Sequence, residues 1–491
     1  MTNTHAPETN HTQALYRHFI VIIAAIIVGS AASMVQAQQR NFRPLAFTRV
    51  SVIDVEKGLT LPDMTVIVTG NKISAVEKHG KVRLPRNARI IDARGKFLIP
   101  GLWDSHAHLT YAGDCALPVL VSYGITSVRD LGGRLSELRA WQQQIADGKL
   151  IGPRIKVAGS NIESEQWLAR ATKLLASVEE LKHYRPFEFS PRLSVGNTEQ
   201  AKTVVETLAT QKVDVIKFRN LGGENFRIIA KEAQKYNIPL VGHAPTSVSI
   251  AEAAEAGMAS IEHGETITNM LGSLSEKERS EQFFRVARNG TMITPTLIAD
   301  YKSKLSTEAE MRKAAGADST YPTDPGQVYV TKSLREMWKF AYDTRRFNGE
   351  QDWKAYFRKS ATDLRLAHRA GVSMLVGTDL VVTLVYPGLS VHEEMALMKR
   401  EIGMNNAEVL RAATINPARF FKTEQSLGTI ERGKTADLVL LDANPLSDIQ
   451  NTQKIQAVIL GGKFYDRKQL DKILEKVKIN IGLQINCVGI K

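Results

Sequence analysis

His106 and His108, in Asp104-Ser105-His106-Ala107-His108, stand two residues apart at the end of an apolar run. If that run is a strand, both imidazoles project from one face and can chelate one cation. A His-x-His pair alone is a weak sign, but three more potential ligands end similar runs. They are His243 in Val241-Gly242-His243-Ala244, His263 in Ile261-Glu262-His263-Gly264 and Asp379 in Val376-Gly377-Thr378-Asp379. Singly, each is as well explained as a satisfied core histidine or a structural carboxylate. Five together are hard to explain as packing, because an unpaired polar group among apolar ones is costly. Lys217 lies inside Val213-Asp214-Val215-Ile216-Lys217-Phe218. Burial disfavours an ammonium, and a neutral amine can add carbon dioxide to give a carbamate whose oxygens can bridge two cations. The other reading of Lys217 is a lysine paired with a neighbouring carboxylate. Arg219, two residues on, shares its face and could bind a substrate carboxylate or close a salt bridge within the wall. Tyr111, three past His108, either lines a pocket or packs in its loop.

Such ligands need a scaffold that brings strand ends together. Between residues 98 and 420, eight short β-branched runs can be picked out: 102–108, 125–129, 155–158, 213–219, 239–243, 260–263, 291–296 and 373–379. Amphipathic segments such as 251–256 and 351–370 separate most of them. Repeated β-α units in this number predict an α/β fold, a closed (β/α)8 TIM barrel whose ligands cap the C-terminal strand ends. An open doubly wound sheet is the runner-up, but no Gly-x-Gly-x-x-Gly follows a strand. The stretches 160–200 and 297–350 are long for simple connections and read as lids or pocket walls.

Both ends of the chain have a different texture. Residues 38–97 alternate apolar runs and turns, as in Val50-Ser51-Val52-Ile53-Asp54-Val55, and the pattern returns within 421–491, as in Ile455-Gln456-Ala457-Val458-Ile459-Leu460. One small β-sandwich built from both ends, followed by a C-terminal tail, is predicted. Residues 1–37 read as a secretory signal peptide: Arg17 precedes an uncharged stretch from Phe19, and Val35-Gln36-Ala37 offers small residues for cleavage. That places the protein in the periplasm or outside the cell. The alternative is a retained N-terminal membrane anchor, since Phe19 to Gln39 carries no charge.

The bulk composition narrows the classes. A hydrophobic share of 43% against 23% charged residues argues for a real core and against wholesale disorder. The 64 Lys+Arg against 51 Asp+Glu give +13, but the basic residues are scattered, which argues against nucleic acid as a partner. Two cysteines, Cys115 and Cys487, exclude a disulfide scaffold and any Cys-x-x-Cys zinc or redox motif. Whether they pair is left open.

Taken together, His106, His108, Lys217, His243, His263 and Asp379 resemble the ligand pattern of the amidohydrolase superfamily. Phe97-Leu98-Ile99-Pro100-Gly101-Leu102-Trp103-Asp104 is similar to that family's entry to the barrel. Ala413-Thr414-Ile415-Asn416-Pro417-Ala418-Arg419 and Gly428-Thr429-Ile430-Glu431-Arg432-Gly433-Lys434-Thr435-Ala436-Asp437 are similar to its C-terminal passages. The spacing of His243 and His263 and the Ile-Lys strand resemble the imidazolonepropionase-related branch, with its prolidase-like (Xaa-Pro dipeptidase-like) members, N-acyl amino acid hydrolases and ochratoxin-type amidases. Relatives often carry Gly-Gly-His after the third strand; Gly159-Ser160-Asn161 stands here. The resemblance implies two divalent ions, zinc by donor type. His106, His108 and Asp379 hold one, His243 and His263 the other, with a carbamate on Lys217 between them. It implies attack of a bridging hydroxide on an amide of a dipeptide or N-acyl amino acid, with Asp379 shuttling the proton. A mononuclear deaminase or cyclic amide or imide hydrolase, or a lactonase or aryl-amidase, uses the same barrel. The expected partner is a small-molecule or dipeptide substrate; a membrane enters only if the N-terminal segment is retained, and a homo-oligomer is left open.

Overall fold

The computed structural model describes residues 43–184, 187–188, 190–316, 325–344 and 352–490. The expected signal peptide at 1–37, and the anchor that is its alternative, lie outside the described residues. Among the described residues, no helix is long and apolar enough to cross a membrane.

Five strands open the described chain: β1 (Leu45–Asp54), β2 (Leu59–Thr69), β3 (Lys72–Lys78), β4 (Arg89–Asp92) and β5 (Phe97–Pro100). Six parallel-sheet strands come next: β6 (Leu102–Ala107), β7 (Ile125–Asp130), β8 (Arg154–Val157), β9 (Asn161–Ser164), β10 (Arg192–Val195) and β11 (Ile216–Arg219). After β12 (Leu240–Gly242), β13 (Met258–Glu262) and β14 (Met292–Thr294), the chain ends with β15 (Leu438–Leu441), β16 (Ile455–Leu460) and β17 (Lys463–Asp466).

Strands from the two chain ends make one eight-stranded sheet, in which β5 pairs antiparallel with β15 and parallel with β1. The sandwich expected here is thus not divided by hydrogen bonding into two facing sheets. Register shifts at Phe47/Val50 and Val50/Val52 bend β1, which pairs with β4 through its first half and β5 through its second. The sheet curls, so that Phe47 on β1 meets Phe464 on β17 with ring centroids 6.0 Å apart. The concave side buries Val50, Val66, Leu98, Leu438 and Ile459 in one cluster.

The middle of the chain is a mixed α/β array of parallel strands with helices between them. Its strands fall in two sheets, β6-β7-β8 and β10-β9-β11-β12-β13-β14. Pairing does not close a continuous eight-stranded ring, for two local reasons. The third predicted strand is longer than expected and broken: β8 pairs with β7, the chain kinks at Gly159 (φ +70°), and β9 pairs with β11. A strand at Asn161–Ser164 and another at Arg192–Val195 therefore stand where a long connection was expected. The eighth run, 373–379, is not a regular strand. It bridges β14 at Ile293–Met374 and β6 at Ala107–Leu380, with backbone bonds Leu375 N to Ile293 O (2.9 Å) and Ser105 N to Val376 O (2.8 Å).

Strands such as Ile125–Asp130 are buried along their whole length, as parallel strands covered on both faces must be. Helix starts are written locally: Ser249 with Glu252 and Ser275 with Glu278 form capping boxes at the helices Ile250–Glu255 and Glu276–Arg288. Cys115 and Cys487 form a disulfide joining the C-terminal tail to the segment after β6.

Candidate metal centre

Parallel strands present their C-terminal ends at one edge, so polar residues placed there converge. His106 lies on β6 and His108 just past it; Lys217 and Arg219 lie on β11. His243 follows β12, His263 follows β13, and Asp379 ends the 373–379 segment. All seven line one cavity of about 510 Å³. Tyr111 is not among its lining residues; it is buried in the short helix Leu109–Ala112, its ring edge-on to that of His108 at 6.2 Å.

Two glycines let the strand ends come this close. A Cβ on Gly242 would lie 2.4 Å from the Phe218 carbonyl oxygen, and one on Gly377 would lie 2.7 Å from the His106 Cβ. His263 (φ +68°) and Asp379 (φ +55°) both occupy the left-handed region, an unfavourable place for a side-chain-bearing residue. Such strain at strand ends is typical of positions held for function.

The donor atoms face one another. His106 Nε2 and His108 Nε2 lie 3.5 and 3.3 Å from Asp379 Oδ1, and His263 Nδ1 lies 4.0 Å from Asp379 Oδ2. Rings of His106 and His263 are 4.6 Å apart between centroids, those of His243 and His263 4.8 Å. His106 Nε2, Lys217 Nζ and Asp379 Oδ1 are buried with no hydrogen-bond partner. Buried polar atoms are rarely left so, and three that converge suit a cation that completes them.

The rings of His106, His108 and His263 each have one nitrogen held by a neighbour. His108 Nδ1 donates to the Gly132 carbonyl (3.0 Å), which can only accept, so the proton sits on Nδ1 and the Nε2 lone pair faces the cluster. His106 Nδ1 meets Glu262 Oε2 at 2.8 Å, and His263 Nδ1 meets Thr296 Oγ1 at 2.8 Å. Burial keeps the imidazoles neutral, as ligands must be: His106 is pushed down to about 4, and His243 and His263 lie well below the usual histidine value. Burial also pushes Lys217 down to about 7, toward the neutral amine. Burial alone would raise Asp379, and positive charge on protonated rings of His106, His108 and His263 would outweigh it and hold the carboxyl well below the ordinary range.

Arg219 makes no ion pair within 4.0 Å among the described residues; its Nε has no hydrogen-bond partner and its guanidinium lies over the Trp167 ring at 5.7 Å. Glu163 lies between Arg192, 3.9 Å away, and Arg219, and both guanidinium charges act on it. Asn161, in Gly159-Ser160-Asn161, satisfies its amide when the nitrogen is turned to donate to Leu131 O (2.9 Å) and the oxygen to accept from Arg192 Nη1 (3.0 Å).

Several site residues escape a strand-by-strand reading of the sequence. Asp104 accepts Thr378 N (3.0 Å), Thr378 Oγ1 (2.6 Å) and His106 N (3.2 Å), tying the segment that carries Asp379 to the strand that carries His106. Glu262 and Arg129 form a fully buried pair behind His106. Their only sequence signal was a charge near the end of a strand-like run, which does not name its partner. Glu265, Asp300 and Lys304 form an ion cluster at the cavity wall, with Lys304 Nζ 2.9 Å from Asp300 Oδ1.

The model of the amidohydrolase family matches residues 97–465. Ochratoxinase from Aspergillus niger is 23% identical over 415 residues, covering 75% of this chain and 75% of that protein. Imidazolonepropionase from Thermoanaerobacter pseudethanolicus is 22% identical over 428 residues, covering 79% and 86%. Among solved structures, a prolidase complexed with N-methylphosphonate-L-proline superposes with a TM-score of 0.63 at 24% identity, covering 86% of this chain and all of that one, a likeness of fold.

Proposed function

The chain belongs to the amidohydrolase family, in its imidazolonepropionase- and prolidase-like branch, and is a hydrolase acting on carbon–nitrogen bonds; from that premise we propose that it cleaves the amide of a dipeptide or N-acyl amino acid with a free carboxylate. The observation that carries the metal-dependent part is the convergence of His106 Nε2, Lys217 Nζ and Asp379 Oδ1, buried and unpartnered, in one cavity with His108, His243 and His263. His106, His108 and Asp379 would hold one cation and His243 and His263 a second, with a carbamate on Lys217 bridging them. Imidazole nitrogens with carboxylate oxygens suit zinc. When bound, the ions supply a water of lowered pKa and polarise the scissile carbonyl. Asp379, ionised and facing the cavity, takes the proton of the attacking water and returns it to the leaving nitrogen. Arg219, with no ion pair within 4.0 Å among the described residues and lining the cavity, receives the substrate carboxylate.

The remaining parts of the reading follow the same scaffold. Residues 98–420 form the catalytic unit, a (β/α)8 barrel closed across the seams at Gly159 and at 373–379. Residues 38–97 and 421–491 form the small β unit and the tail, and 1–37 direct export. The Cys115–Cys487 disulfide supports an oxidising compartment outside the cytoplasm.

One observation favours a second reading. Among the described residues, only His106, His108 and Asp379 bring three donor atoms within 4.8 Å of one another, enough for a mononuclear deaminase or cyclic amide hydrolase. Metal analysis of protein purified without chelator separates the two: close to two ions per chain is expected, and one supports the second reading. Hydrolysis of Xaa-Pro, Xaa-Arg and N-acetyl amino acids, each beside its C-terminal amide, tests the substrate. Free acids are expected to be cleaved faster; equal rates would overturn the carboxylate reading and favour a lactonase or aryl-amidase.

A further inference from the structure

Behind the cavity lies a polar network that the hydrolytic chemistry does not itself use. Glu262, the last residue of β13, and Arg129, on β7, are both fully buried. Arg129 Nη2 donates to both carboxylate oxygens of Glu262, at 2.9 and 3.0 Å, and to Thr294 Oγ1 at 3.0 Å. Its Nη1 donates to Ser260 Oγ at 3.0 Å, its Nε to the Ser105 carbonyl, and its guanidinium lies 4.9 Å from the Phe420 ring centre. The Ser260 hydroxyl donates to Glu262 Oε1. The Arg129 donors thus reach Glu262, the Ser105 carbonyl and the Ser260 and Thr294 hydroxyls, and the Ser260 hydroxyl in turn donates to Glu262. The remaining lone pair of Glu262 Oε2 meets His106 Nδ1 at 2.8 Å.

The consequence is directional. A carboxylate surrounded by donors can only accept, so His106 must carry its proton on Nδ1 and present a bare Nε2 to the cavity, where that atom has no partner. We infer that Glu262, clamped by Arg129, is the positioning residue that sets the tautomer and ring orientation of His106 as a ligand. This rests on the metal-centre reading above. The carboxylate draws on three strands from two sheets: Arg129 from β7, His106 from β6 and Ser260 from its own β13. A shift in any of them would be felt at Nε2. Outer carboxylates of this kind fix ligand rotation, and their loss costs about 10- to 100-fold in metal affinity.

Glu262→Gln is the direct test. Glutamine keeps one acceptor oxygen and puts a donor amide in place of the other, so Arg129 loses one of its two acceptors and the amide, when turned to Nδ1, donates to it and pushes the proton to Nε2. Because this leaves Arg129 buried beside a neutral group, the double variant Arg129→Met with Glu262→Gln removes both charges at once and keeps the test alive if the single variant does not fold. Two measurements are read on folded protein. Nitrogen-15 NMR of histidine-labelled, metal-free protein reports the His106 tautomer, assigned by its loss in His106→Asn. Competition with a chromogenic chelator reports zinc affinity. The expected result is Nδ1–H alone in the unsubstituted protein, loss of that preference in the variants, and zinc affinity reduced about 10- to 100-fold. A merely structural role would lower Tm and leave both readouts unchanged in whatever remains folded, and that result overturns the proposal. If the unsubstituted protein binds no zinc, the metal-centre reading fails by itself; the tautomer comparison then decides whether Glu262 orients His106.

Discussion

Replacing Lys217 by methionine should stabilise the metal-free protein, although it removes a residue central to the proposed chemistry. Methionine nearly matches the lysine stem in volume and buries no charge, so the exchange isolates the amine. Lys217 titrates at 10.5 in an unfolded chain and at about 7 in its buried place. Between those values the unfolded chain holds a proton that the folded protein does not, so stability rises with pH across the window. It is fully present above 10.5 and lost as pH falls toward 7. The gap corresponds to about 5 kcal/mol at its upper limit, since each factor of ten is worth about 1.4 kcal/mol. At pH 7 the Lys217→Met variant should therefore be more stable than the unsubstituted protein by a few kcal/mol, an order-of-magnitude figure, and the advantage should vanish as pH approaches 10.5. Urea unfolding of chelator-treated protein in carbonate-free buffer, at several pH values, measures it. Taking the difference between the two proteins cancels the titrating groups that do not interact with Lys217; His106, His243, His263 and Glu262, which do, contribute to what is left. A difference that stays near zero, or does not change between pH 7 and 10, would refute the claim that burial neutralises this lysine.

Three further outcomes are expected. Lys217→Ala should lose the second ion and nearly all turnover, with partial recovery of both on adding a short carboxylic acid, read by metal analysis and rate on the same sample. Asp379→Asn should lower kcat by about 10²- to 10⁴-fold at matched metal occupancy; undiminished kcat at full occupancy would remove its role in proton transfer. Arg219→Gln should reduce kcat/KM for substrates with a free carboxylate by about 10- to 100-fold, the worth of a charge-assisted hydrogen bond, and leave the corresponding amides unchanged.

The strands that could be read in one dimension are short runs of apolar, β-branched and small residues that end on a charge, such as Ile125–Asp130 and Met258–Glu262. Their burial on both faces makes the run itself the signal. The stretch 373–379 has the same texture, yet Thr378 N and Asp379 N both turn to the His106 carbonyl, which ends any ladder there. Asn161–Ser164 reads as loop because its polar residues are satisfied by neighbours far along the chain, Asn220 at Glu163 among them (2.8 Å). The cavity histidines were legible because each sits alone at the end of an apolar run. Arg129 and Glu262 were not, since each explains the other only once β7 and β13 are brought together across 133 positions of sequence.

The bond between Cys115 and Cys487 spans 372 residues. Around it, Cys487 N donates to Asp114 Oδ2 (2.7 Å) and Gly489 N to Lys149 O (2.8 Å), so the tail is fastened beside the bridge as well as through it. Topologically, the polypeptide from β7 to the last helix is a lariat; Lys217, His243, His263 and Asp379 lie inside the noose, and His106 and His108 lie just before it. A protease that nicks one exposed loop within it, which is where cleavage concentrates, does not release a fragment. The two pieces stay tethered, run as one species until reductant is added, and can keep their places around the cavity.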